Sequence, residues 1–311
     1  MKSLHRNVLI VVAAFVMSAY AFGQNPADTG TGVNTTPRAD QATDPIKGFN
    51  AYENFRGMVN HSGTLLKLDS TVGYDFNRYF GVFTGVPLYF ASDSSNTPGQ
   101  TRLHDSGAGD FYFGVETYAP SRYVDYSSTL TASAPTGSVS KGFSPGKPTV
   151  DWNNRFRHKF GRFAPFVAAG VGNTVPDSEL VTRSFISLGK VSHFEEGAEF
   201  EIARPVYLGG SAYQIVPFGN QQVFNRFDSA APRDDHGGNG NAAPAPPPVT
   251  GTSTSGNDLT REHGFDAWFG FEPTRTVRVE LGYSRSVTFA LNSFSFNLGL
   301  NVGKLFRSQS H

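Results

Sequence analysis

The chain contains no cysteine, so no disulfide framework organises it. It also lacks net charge. Its 26 basic residues offset 26 acidic ones, which removes the electrostatic footprint expected of a nucleic-acid partner. Beyond the N-terminal segment it has no apolar run approaching the ~20 residues that a membrane-spanning helix needs. Any residence in a membrane must therefore be as a closed barrel, the other structure that satisfies its own backbone polar groups there.

What the chain does have is aromatic and small. Phe numbers 28 and Gly 34, while hydrophobic residues make up 38% of the 311. Many aromatics, many glycines and modest hydropathy fit β architecture in which polar and apolar residues alternate. At the N-terminus Lys2, His5 and Arg6 precede an apolar run from Val8 to Ala21, and Ala21-Phe22-Gly23 supplies small residues before Gln24. That pattern reads as a secretory signal peptide over residues 1–23. Residues 24–49, rich in Thr, Asp, Pro and Gly, read as a disordered periplasmic lead-in. Residues 50–306 then form the barrel, and 307–311 a short tail.

The final segment, Asn292 to Phe306, shows the pattern most clearly. Phe294, Phe296, Leu298, Leu300 and Val302 share one parity, and Ser295, Asn297, Gly299, Asn301 and Gly303 the other. Period-two alternation of this length suits a strand with lipid on one face and water on the other. A strand ending in Phe306 near the C-terminus resembles the signal read by the barrel-assembly machinery, although five residues follow it. Similar strands recur in pairs. Tight turns fall at Asn77-Arg78, Pro120-Ser121, Gly161-Arg162, Arg204-Pro205 and Pro273-Thr274-Arg275. Longer connections fall mostly between them: Ser92–Gly109, Pro135–Pro148, Thr174–Lys190 and a low-complexity loop over Gly219–Arg261. Short turns on one side and long loops on the other are the rhythm of an outer-membrane meander. The sequence thus predicts an all-β, antiparallel up-and-down transmembrane β-barrel of about twelve strands, with outer-membrane lipids around it.

Parity also assigns the faces. A charge near the bilayer midplane costs ~2–4 kcal/mol on the lipid side, so the aromatic parity faces out. The inward parity then collects Lys67, Asp69, Asp75, Glu116, Arg155, Arg157, Lys159, Glu195, Glu199, Glu201, Arg278 and Glu280. These are candidate lumen-lining residues. The Arg155-Arg157-Lys159 and Glu195-Glu199-Glu201 runs lie two strands apart and could attract each other across the lumen or through the intervening strand. They suit either a transverse field across an aqueous pore or salt bridges that fill a small barrel.

Residue types for other chemistry occur without the required placement. Ser192 and His193 are adjacent on a strand and point to opposite faces, so they form no dyad. Asn60-His61-Ser62 sits in a loop, as does Asp234-Asp235-His236, whose mobile setting makes a poor metal site. No catalytic residue, metal or cofactor is expected. A channel or porin-like transporter of a small-molecule solute is the leading expectation. A plugged surface barrel and a lipid-modifying barrel enzyme are its alternatives.

One stretch is more specific. Gly107-Ala108-Gly109-Asp110 leads into an amphipathic strand, and Ala134-Pro135-Thr136-Gly137 closes the next. This arrangement resembles the outer-membrane proteins of the meta-pathway of phenol degradation, over about residues 107–137. The resemblance implies an outer-membrane β-barrel that passes small, often aromatic or hydrophobic compounds, and it brings no catalytic residues.

Overall fold

The computed structural model describes residues 48–61, 63–93, 104–175, 177, 182–226, 260–274 and 277–301. The signal peptide, almost all of the lead-in, Ser62, Asp234–His236, Phe306 and the tail lie outside them. Thirteen strands are described: β1 (Gly48–Asn60), β2 (Gly63–Asn77), β3 (Phe80–Asp93), β4 (His104–Ala108), β5 (Phe111–Ala119), β6 (Asp125–Ala134), β7 (Thr149–Arg157), β8 (Phe163–Gly172), β9 (Phe185–Ala203), β10 (Val206–Asn225), β11 (Glu262–Thr274), β12 (Val277–Ser286) and β13 (Leu291–Asn301). Every pairing is antiparallel, and β1 pairs with both β2 and β13, which closes the sheet on itself.

The barrel has twelve staves because β4 and β5 share one. Leu88 to Ser92 of β3 pairs with β4, and Phe80 to Gly85 pairs with β5. The stave breaks at Gly109-Asp110, opposite Pro87, which has no N–H to offer the ladder. The Gly109 amide still donates to the Pro87 carbonyl at 2.8 Å.

Side-chain parity sets what each face meets. On β13 Phe294 is 63% exposed on the outer wall, while Ser295, Asn297 and Asn301 are buried inside. On β11 Phe265, Phe269 and Phe271 face out, against buried Asp266 and Trp268. The outer wall is therefore a continuous apolar belt suited to lipid. Polar groups on it are mostly paired with each other: Trp152 donates to Ser128 at 2.8 Å and Tyr126 to Asn154 at 2.7 Å.

Several boundaries differ from the sequence expectation. Gly48 and Phe49, placed in the lead-in, open β1. β4 falls inside the loop expected over Ser92–Gly109. The patch Phe185, Ile186 and Leu188 is the first part of β9. β10 continues to Asn225 where a loop was expected from Gly219. The register between β9 and β10 shifts between Phe218 and Gln222, and Gly219 there adopts φ 77°, a conformation that favours glycine. The turn signal at Gly219 is thus a bulge inside a long hairpin.

Candidate functional site

The inner wall divides into two halves. Towards the short turns, β7 and β9 flank β8, whose inward residues include Ala164 and Ala168. Over these small side chains Arg157 reaches Glu199 at 2.6 Å, and Lys159 reaches Glu201 at 3.5 Å. Arg155 instead stacks over the Phe166 ring, 3.7 Å from its centroid. Glu199 also lies 4.0 Å from Arg278, which bonds Glu280 at 2.6 Å and sits 3.8 Å from Glu272. Tyr207 and Asn297 each donate to Glu280 at 2.8 Å. The basic and acidic runs therefore meet through the intervening strand, along the wall.

Five of the sequence-selected residues lie outside this ribbon: Lys67 and Asp69, which join the cluster towards the long connections, Asp75, which accepts from Asn50 at 3.0 Å, and Glu116 and Glu195. Glu116 is buried on the inward face of β5. Glu195 faces inward on β9, half-buried, with no ion pair or hydrogen bond from a described residue. Removing one member of the ribbon leaves another charge buried and uncompensated. Arg157→Ala is therefore expected to cost ~3–5 kcal/mol, read as an earlier loss of the compact, fast-migrating gel band on heating. Arg157→Met with Glu199→Gln should recover most of that loss.

The half towards the long connections was not legible in the sequence. There the segment between β8 and β9 carries Asp177 to the far side of the ring, where its carboxylate meets Lys67 of β2 at 3.3 Å. Lys67 also holds Asp69 at 3.2 Å. Arg226, just past β10, meets Asp177 at 3.3 Å, donates to the Arg183 carbonyl at 2.7 Å and to the Tyr89 hydroxyl of β3 at 3.2 Å. Arg183 in turn pairs with Glu262. Burial alone would push the Asp177 carboxyl up. Arg226, Lys67 and the Arg183 amide outweigh it and hold Asp177 below the usual carboxylate range.

The 107–137 motifs come together beside this cluster. The Asp110 carboxylate accepts the Gly137 amide at 2.9 Å, and the Thr136 hydroxyl accepts the Phe111 amide at 2.8 Å. Phe143, on the connection that follows, stacks on Tyr89 with centroids 5.3 Å apart and joins Met58, Leu65 and Ala91 in a buried apolar cluster. Gly107 lies against that ring, 3.2 Å from where a side chain would begin.

His193 and Ser192 do point to opposite faces, and the His193 ring bonds Asp151 at 2.9 Å inside the barrel. Among the described residues no group of His, Cys, Asp or Glu is arranged to hold a metal ion.

No protein-family model matches the sequence, and no curated protein matches it. Solved structures do match in shape. An outer-membrane channel from Pseudomonas putida F1 is 10% identical with a TM-score of 0.54, covering 85% of this chain and 99% of that one. The KdgM porin in complex with disordered oligogalacturonate is 6% identical (TM-score 0.46, 80% of this chain and 98% of that one). The NanC porin is 7% identical (TM-score 0.45, 80% and 98%). At such identities the first likeness shows the fold alone, a closed barrel of the outer-membrane kind.

Proposed function

We propose that this barrel is an outer-membrane channel through which small molecules diffuse passively, and that the structure holds it shut at its outer mouth. In this reading residues 1–23 direct export, the barrel-assembly machinery inserts the chain, and the long connections face outward. Arg155, Arg157, Lys159, Glu116, Glu195, Glu199, Glu201, Arg278 and Glu280 then form the solute-facing wall.

One observation carries the reading. Ion pairs between staves reach two or three staves around the ring, whereas the contacts that reach its opposite side are made by Asp177 and Arg226, which lie on connections. A barrel built only as a filled scaffold would cross-brace its staves directly. Connections can swing aside without unfolding the sheet. The charged wall favours water-soluble solutes over the hydrophobic compounds that the family resemblance implies, since an apolar solute would displace water from charged groups without replacing its hydrogen bonds.

Planar bilayers test this. Single-channel steps are expected from the refolded barrel, with ion selectivity changed by neutralising Arg155 and Arg157 together. Absence of conductance in the parent, and in variants cut at Asp177 or Arg226, would leave a plugged surface barrel as the better description.

A further inference from the structure

Among the described inward residues, several buried oxygens have no hydrogen-bond partner, and two of them lie on register-paired residues. Asp266 of β11 and Ser211 of β10 are register partners and point inward, 4% and 8% exposed. Asp266 Oδ1 and Ser211 Oγ each have no hydrogen-bond partner among the described residues. Ser284 bonds the Asp266 carboxylate, leaving that one oxygen over. Glu195, whose register partner is Tyr213, lies one inward position along β9 from the Gly197 that faces Ser211. It sits within electrostatic reach of Asp266, as does Glu262.

Charge balance sharpens the point. Arg183 is the cation acting on Asp266, and it is already paired with Glu262. Among the described residues, the carboxyl groups of Asp266, Glu262 and Glu195 thus lie near a guanidinium that already has a partner. A buried oxygen without a partner is costly, and two on register-paired residues close to the Glu195 carboxylate favour a cationic donor. Trp268, the next inward residue on β11, lies over Gly209 and packs with Phe166 and Tyr207.

We infer that Asp266, Ser211 and Glu195 form a binding site for an ammonium group, presented by a small organic amine or by the ammonium ion itself. A primary ammonium has three N–H donors, one for each of these acceptors. The site lies beneath the Asp177–Arg226 crossing, so a solute passing the open mouth meets it next. The inference deepens the channel reading by naming a solute class, and it rests on that reading only for transport.

Its test reads binding directly. The chain has two tryptophans, and Trp152 lies on the lipid face, so Trp152→Phe leaves Trp268 as the one indole. Ethylammonium chloride should change Trp268 emission saturably in the folded barrel. Tetramethylammonium, which has no N–H, should bind about tenfold more weakly or worse. Asp266→Asn should weaken ethylammonium by a similar factor while keeping the heat-modifiable fold, and Ser211→Ala by less. Ammonium binding as tightly as ethylammonium assigns the site to the bare ion, and weaker binding assigns it to an amine headgroup; either keeps the proposal. Equal binding of tetramethylammonium, or no effect of Asp266→Asn, overturns it. Bilayer conductance is a separate readout. A barrel that binds ethylammonium and never conducts keeps the site and loses the channel.

Discussion

Arg226→Ala should turn a rarely open barrel into one that conducts most of the time. The guanidinium bonds Asp177, the Arg183 carbonyl and the Tyr89 hydroxyl, and lies 4.5 Å from the Tyr89 ring centroid. Breaking a buried pair from one side costs ~3–5 kcal/mol. If the closed mouth alone bears that cost, the closed-to-open ratio falls by about two to four orders of magnitude. Arg226→Lys keeps the charge but loses the fork that spans Asp177 and Tyr89 together, so it should fall between. An unchanged open probability in Arg226→Ala would show that the crossing does not gate. The same cluster predicts the pH response. A carboxyl held below its ordinary value stabilises the state that holds it at all pH above that ordinary value, and the benefit is lost only as pH falls through the depressed value. Asp177 is such a group in the closed mouth. Open probability should therefore stay flat from neutral pH down to about 4, the ordinary carboxylate range, and rise only below it. Opening near pH 5 would place control on another group.

The wall was legible in the sequence because a strand has a strict period of two. Once Phe294 is assigned to lipid, Ser295 and Asn297 must face inward, and the same logic places Arg157 and Glu199. Their pairing through β8 could be foreseen because Ala164 and Ala168 are too small to block it. The mouth could not be read this way. Asp177, Arg183 and Arg226 sit in segments with no periodicity, so nothing in their spacing shows that Asp177 and Arg226 reach Lys67 and Tyr89 from the opposite side of the ring or that Arg183 pairs with Glu262. The long β9–β10 hairpin was cut short for a different reason: glycine at a turn and glycine in a bulge look alike in sequence, and Gly219 is the second. The parity rule also has exceptions. Glu53 faces out with Ser70, which donates to it at 2.8 Å. Glu196, register partner of Val167 and Ala212, is exposed on the same lipid-facing parity, and nothing in the structure explains it.

The second large effect is expected at the motif carried by residues 107–137, whose residue types acquire a physical reason in the structure. The Asp110 carboxylate accepts the Gly137 amide and the Thr136 hydroxyl accepts the Phe111 amide, so the clasp ties the break between β4 and β5 to the segment that follows β6 and satisfies two backbone donors there. Gly137 is tied to this arrangement by space: a Cβ there would come 2.7 Å from the Gly109 carbonyl carbon and 2.9 Å from its Cα. Backbone on that side cannot move as a side chain can, so Gly137→Ala must part the two segments. Asp110→Ala leaves the Gly137 amide without its acceptor, a loss of ~1–3 kcal/mol. Gly137→Val should cost more still, because it prevents the segments from meeting at all. Asp110→Asn keeps a carbonyl oxygen for the same amide and should be the mildest of the three. The temperature at which the fast-migrating gel band disappears checks this order. Because Phe143 lies six residues after Gly137, donates its amide to the Ser138 carbonyl and seats on Tyr89, the clasp variants should also loosen the mouth, giving noisier conductance at temperatures where the barrel is still folded. Clasp variants that melt like the parent, with quiet currents, would remove both the structural account of the motif and its link to the gate.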